Sequence, residues 1–122
     1  MRLVLRFYKA INNHDVAELE TLISKDCKME IAVAEPDGNE ILGNKAIIRY
    51  WDQIFRSTAQ LRVDTEEVFG AANRCVTLCR YKWSSTNGDA RHIRGVDIFM
   101  VKTGLIDEIL SYTKTKNLFA AA

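Results

Sequence analysis

Apolar residues recur along this chain with two different periods, and the switches between them mark its elements. From Arg2 to Asn12 a helical stripe carries Leu3, Phe7 and Ile11 with Val4 and Tyr8 beside them, while Arg2, Arg6 and Lys9 fall elsewhere. Asn12–Asn13 supplies a C-terminal stop. Asp15, with Glu18 three residues later, forms a capping pattern for a short second helix through Val16, Leu19, Leu22 and Ile23. Two helices so closely joined form an antiparallel hairpin. From Asp26 the period falls to two: Cys27, Met29 and Ile31 alternate with Lys28, Glu30 and Ala32, a strand with one apolar face. Pro36–Asp37–Gly38–Asn39 is a turn by its chemistry, followed by a short strand at Glu40–Leu42. Gly43–Asn44 ends that strand, and Asn44 is placed to cap a third helix, Lys45–Arg56, whose Ile47, Ile48, Trp51, Ile54 and Phe55 make a broad face that must be covered.

Beyond Ser57–Thr58 the pattern is that of antiparallel strands: Gln60–Phe69, Arg74–Thr86, Ile93–Val101 and Leu105–Tyr112. Turns fall at Gly70–Asn73, at Asn87–Gly88 and at Thr103–Gly104, and residues from Lys114 to Ala122 form an expected frayed tail. Helix, helix, strands, helix and four further strands predict an α+β domain with helices on one face of a curved, mainly antiparallel sheet.

Composition narrows the partners. A chain of 122 residues is of single-domain size, and 48% hydrophobic with 27% charged residues is ordinary for a soluble globular protein. The net charge of +1 marks no dedicated binder of nucleic acid or acidic lipid. No apolar run reaches the roughly 18–20 residues of a membrane span. The opening MRLVLRFYKAIN is too soon interrupted by charge for a secretory leader, so it is expected to be the first helix. If Cys75 and Cys79 share a strand, their Cα atoms lie about 13 Å apart, too far for a disulfide, and with Cys27 they make an odd count. Reduced thiols in a cytoplasmic protein are the expectation. His14 and His92 have no ligand spacing around them, and no metal site is expected.

The candidate chemistry centres on Asp97, a lone acid flanked by Val96, Ile98 and Phe99 in an apolar strand. Such a carboxylate points outward, pairs with a base or lines a cavity. By strand parity it shares a face with Ile93, Gly95, Phe99 and Val101; His92, Arg94, Val96, Ile98 and Met100 lie on the other. Arg80, Arg91, His92 and Arg94 are the bases that could approach it, and strand pattern does not choose among them.

The segments RFYKAINNHD, EPDG with GNKAI, and RGVDIF with GLIDEI and SY give the chain a resemblance from Phe7 to Tyr112 to the nuclear transport factor 2-like superfamily, within it to SnoaL-like proteins and ketosteroid isomerases. The resemblance implies one such domain over residues 1–122, with a cone-shaped (cystatin-like) fold. In it, three helices close one face of a strongly bent sheet of about six strands over an apolar pocket. It implies that Asp97 is the acid that hydrogen-bonds or transfers a proton, and that Glu35, before Pro36, is near the general base of the isomerases. The family tyrosine of the first helix matches Phe7 here. Tyr8 is rotated from it by about 100° and is no simple stand-in.

Trp51, Phe55, Tyr81, Trp83, Phe99 and Tyr112 are then expected pocket walls with Phe7 and Tyr8, and each is equally ordinary as core packing. Cys79 shares a parity with Tyr81 and Trp83 and faces the pocket or is a buried, inert thiol. The resemblance implies no cofactor. It implies first acid/base chemistry on a small apolar molecule, as an isomerase, cyclase, dehydratase or epoxide hydrolase; the alternatives are a non-catalytic module that binds a ligand or partner and a structural dimer with a vestigial cavity. The apolar second face of the sheet predicts a homodimer in each case.

Overall fold

The computed structural model describes residues 1–32 and 37–115. Its elements run α1 (Arg2–Asn12), α2 (Val16–Leu22), β1 (Ile23–Ile31), β2 (Asn39–Leu42), α3 (Asn44–Ser57), β3 (Arg62–Ala71), β4 (Arg74–Ser84), β5 (Ala90–Lys102) and β6 (Leu105–Thr113). One mixed sheet holds all six strands in the order β2-β1-β6-β5-β4-β3. Among the described residues the β1–β6 pair alone is parallel, with β6 on the edge of β1 opposite β2. Three helices pack on one face of this curved, unclosed sheet, the expected α+β cone.

The helices sit where their apolar stripes direct them. α1 buries Val4, Phe7, Tyr8, Ala10 and Ile11, and α3 buries Ile47, Trp51 and Phe55, one turn apart. Opposite them, β4 buries Cys75, Thr77, Cys79, Tyr81 and Trp83 on one parity, and β5 buries Ile93, Asp97 and Phe99. All three cysteines are free and buried.

Four local expectations are revised. α2 ends at Leu22, and Ile23 already has strand geometry (φ −109°, ψ 133°), so the period-2 segment begins four residues before the visible alternation. Its pairing to β6 is irregular between Ile23 and Lys28, which hides the alternation there. The cap of α3 is Gly43 at φ 93°, not Asn44. Asn44 instead donates its side-chain amide to the carbonyls of Glu20 (3.1 Å) and Ile23 (2.8 Å), satisfying the end of α2. β3 starts at Arg62, after Leu61 N–H bonds the Thr58 carbonyl. The Asn87–Gly88 signal lies in a loop of residues 85–89 between the paired Ser84 and Ala90, so that hairpin is wider than a two-residue turn.

At the other hairpin Thr103 (φ 51°) and Gly104 (φ 79°) make a two-residue turn between paired Lys102 and Leu105. Counting back from it would set Leu110 opposite Asp97. A bulge between Met100 and Val101 moves the register by one, and Ser111 takes that place. The bend is tight: a Cβ on Gly95 would sit 2.7 Å from the Tyr112 carbonyl oxygen of β6. Gly95→Ala is expected to cost about 1–3 kcal/mol, because backbone must move. A fall in Tm of roughly 5–15 °C would record it, and an unchanged Tm would show that the strand spacing is slack.

Candidate functional site

Asp97 is 2% exposed and sits where α1, β4 and β6 converge. Its Oδ2 accepts from the Tyr8 phenol at 2.6 Å and from the Tyr81 phenol at 2.7 Å, with the Cys79 thiol at 3.5 Å. Its Oδ1 accepts from the Ser111 hydroxyl at 2.8 Å. Bonds this short from O–H to a carboxylate are charge-assisted. No salt bridge reaches Asp97 among the described residues: Arg94 and Arg80 both engage Glu66, and Arg91 and His92 are exposed on the strand. Of the three readings open to this acid, it is the cavity-lining one that the structure realises, with hydroxyls in place of a base.

Tyr8 reaches the acid although Phe7 occupies the position matched to the family tyrosine. α1 aims the cleft between residues 7 and 8 at the sheet, so side chains about 100° apart both point inward. Phe7 and Tyr8 pack edge-on, with ring centroids 5.4 Å apart, and each meets Phe99 edge-on at 5.3 and 5.7 Å. Tyr8, expected to be no simple stand-in, is thus the α1 phenol that bonds Asp97.

Beside the carboxylate is a narrow cavity of ≈ 20 Å³, room for about one water. Phe7, Tyr50, Trp51 and Tyr81 form its aromatic wall, Met29, Ile31 and Ile109 its aliphatic wall, and Asp97, Ser111 and Thr113 its polar side. The Trp51 indole N–H is buried with no hydrogen-bond partner among the described residues.

Other expected wall residues lie elsewhere. Phe55 is buried but stacks on the His14 ring at 4.4 Å, away from the acid. Trp83 is buried at the far end of β4, level with Arg91. Cys79 and Phe99 support Asp97 and the rings rather than line the cavity. Tyr112 is 57% exposed on the outer face, because the bulge reverses the parity that would have aligned it with Ile106. Glu35 lies outside the described residues.

Sequence reasoning missed Ser111, Tyr50 and the β1 residues Met29 and Ile31. Register counted from the turn at Thr103–Gly104 points to Leu110 in place of the first of these, because it does not include the bulge. Tyr50 is half-buried at the mouth, edge-on to Trp51 at 5.3 Å.

Burial, and next the charge of Asp97, push the acidities of this cluster one way. The Tyr8 and Tyr81 phenols are held well above the usual tyrosine range, and so are the Tyr50 phenol and the Cys79 thiol relative to their own. All four therefore stay protonated at neutral pH, and Tyr8, Tyr81 and Cys79 donate to Asp97.

The profile of the SnoaL-like domain family matches residues 4–109. Proteins with curated descriptions contain no match. Among solved structures, a nuclear transport factor 2-like protein of unknown function from Mesorhizobium loti is 32% identical, with a TM-score of 0.76 over 93% of this chain and 89% of that one. A Mycobacterium tuberculosis protein in complex with estradiol-17beta-hemisuccinate is 23% identical (TM-score 0.79; 90% and 89% covered). A protein of ketosteroid isomerase-like fold from Catenulispora acidiphila, in complex with trimethylamine, is 13% identical (TM-score 0.80; 90% and 83% covered). With a family profile spanning most of its length and the cone fold around a buried acid, the chain belongs to the SnoaL-like family of the nuclear transport factor 2-like superfamily.

Proposed function

We propose that the Asp97 cavity is a small-molecule site in which Asp97 exchanges or shares a proton with a largely apolar ligand. One observation carries this reading: a carboxylate buried to 2% exposure opens on a mainly apolar cavity and is held by Tyr8, Tyr81 and Ser111, with no cation among the described residues. Stability alone would be served as well by an apolar residue there, since a buried charge loses its hydration. Oδ2 is saturated by two phenols and a thiol, which leaves Oδ1, beside Ser111, as the atom that meets the ligand. The phenols stabilise the anion when Asp97 acts as base or hydrogen-bond acceptor. Glu35 is the candidate second acid/base, and Phe7, Trp51 and Tyr81 the contacts for the ligand's apolar body. The ligands of the mycobacterial and Catenulispora structures support a small-molecule role for the fold. A non-catalytic ligand-binding role is the second reading, favoured by the satisfaction of Asp97 by Tyr8, Tyr81 and Ser111.

We further propose a homodimer through the outer face of the sheet. Val76, Leu78, Val96, Ile98 and Leu110 are only partly covered there, next to exposed Tyr112. The Arg80–Glu66–Arg94 and Arg74–Glu108–Lys28 networks border them, a polar rim around an apolar centre. No described helix is long and apolar enough to cross a membrane.

Three outcomes are expected. Cyclohexanone in D2O should exchange its α-protons faster with the protein than with buffer. Asp97→Asn should remove that gain by about 100-fold or more and Tyr8→Phe should reduce it by roughly tenfold, as measured by proton NMR. Retained saturation transfer to cyclohexanone without exchange would select the binding role, and neither signal would sink both. In sedimentation, wild type should run as a dimer at micromolar concentration and Ile98→Glu as a monomer; a wild-type monomer ends the dimer proposal. Finally, since the Tyr8 and Tyr81 phenols stay protonated in the fold beyond the unfolded value near 10, the unfolded state binds fewer protons above that pH. Stability is thus complete below pH ~10 and falls above it, by up to about 1.4 kcal/mol per pH unit for each such phenol. Alkaline unfolding followed by tyrosinate absorbance should be steep, and Tyr8→Phe should make it shallower; an identical slope would remove Tyr8 as a cause.

A further inference from the structure

We propose that the ligand class of the Asp97 cavity is a small alkylammonium ion, its N–H groups toward the free lone pairs of Oδ1 and its alkyl body among the aromatic rings. The proposal rests on the preceding reading that this cavity is a ligand site, and it adds the sign of the ligand's charge.

Charge accounting comes first. Three hydroxyls and a thiol solvate the carboxylate but bring no positive charge. The nearby cations are committed elsewhere: Arg80 and Arg94 to Glu66, Lys82 to Asp64, Arg74 and Lys28 to Glu108. The cavity therefore carries a net negative charge with little water to screen it, where Coulombic attraction is stronger than at a surface. That field crosses the cavity: the Tyr50 phenol, on α3 at the mouth, is made a weaker acid by burial and then by Asp97.

The walls agree in sign. Phe7, Tyr50, Trp51 and Tyr81 line the space, and aromatic faces attract cations through their quadrupoles. Phe7 and Tyr50 flank Trp51 edge-on, with centroids 6.2 and 5.3 Å from it, so the three rings form one continuous aromatic side. A carboxylate or phosphate ligand would meet repulsion from Asp97. A neutral hydrocarbon would leave the charge desolvated and uncompensated. Size sets the last limit, because ≈ 20 Å³ holds about one water, so side chains must move to admit an alkyl body and a small one is favoured.

Three probes of four heavy atoms each separate the cases: isopropylammonium, isopropanol and acetate, titrated at constant ionic strength against the 15N-labelled protein. The indole N–H signals of Trp51 and Trp83 are the readout, assigned with Trp83→Phe, since Trp83 is not in the cavity wall. Isopropylammonium is expected to shift the Trp51 signal and to bind about tenfold more tightly than isopropanol, with acetate weakest. Asp97→Asn should abolish the preference while retaining isopropanol binding. Should Asp97→Asn not fold, Tyr50→Leu at the half-buried mouth should weaken isopropylammonium roughly threefold or more and leave isopropanol within about twofold. Equal affinity for isopropylammonium and isopropanol, or preference for acetate, overturns the proposal but leaves a small-molecule site in place. No response to any of the three overturns the site reading as well.

Discussion

A carboxylate without a counter-cation in the interior is the constraint around which this molecule is arranged. Removing an ionised group from water is expensive, and only donors aimed at it offset the loss. Here the donors come from three elements distant in the chain: Tyr8 from α1, Tyr81 from β4 and Ser111 from β6. α1 cannot slide or rotate on the sheet without stripping a phenol from Asp97. The acid thus keys the helical layer to the sheet at one place, while Phe7, Tyr8 and Phe99 pack edge-on around the contact.

Curvature is the second requirement, because a flat sheet would close against the helices and leave no cavity. The irregularities supply it: the bulge between Met100 and Val101, the register shift between Thr65 and Glu67, and the break in β1 between Ile23 and Lys28. Gly95 contributes by having no side chain where the Tyr112 carbonyl comes close. The same bulge that bends β5 and β6 presents Ser111 to Asp97 and turns Tyr112 outward. Shape and chemistry of the site therefore share one cause.

Membership of a family with this fold says little about reaction, since function resides in the side chains that the cone encloses. Here they are a negative centre, neutral hydroxyl donors and aromatic walls. The phenol that reaches Asp97 from α1 comes from residue 8, one helical position beyond Phe7. A strict positional comparison would have discarded a hydrogen bond of 2.6 Å.

Local periodicity determined much of this protein by itself. The stripes of α1 and α3, the alternation of β4 and the face that Asp97 shares with Ile93 and Phe99 follow from repeats of 3.6 and 2 residues, which depend only on backbone geometry. The cap of α2 by Asp15 was equally local: its side chain accepts the Glu18 N–H at 3.0 Å. Tertiary structure alone decided what required counting across strands or between layers. Ser111 and Tyr112 exchanged faces because one extra residue in a bulge reverses parity, and a bulge leaves no mark in a hydrophobic pattern. Asn44 left its expected cap because carbonyls at the end of α2, far away in sequence, needed a donor more than α3 did. Tyr8 met Asp97 across 89 residues of chain through the angle at which α1 crosses the sheet, a quantity set by packing and not by either segment alone.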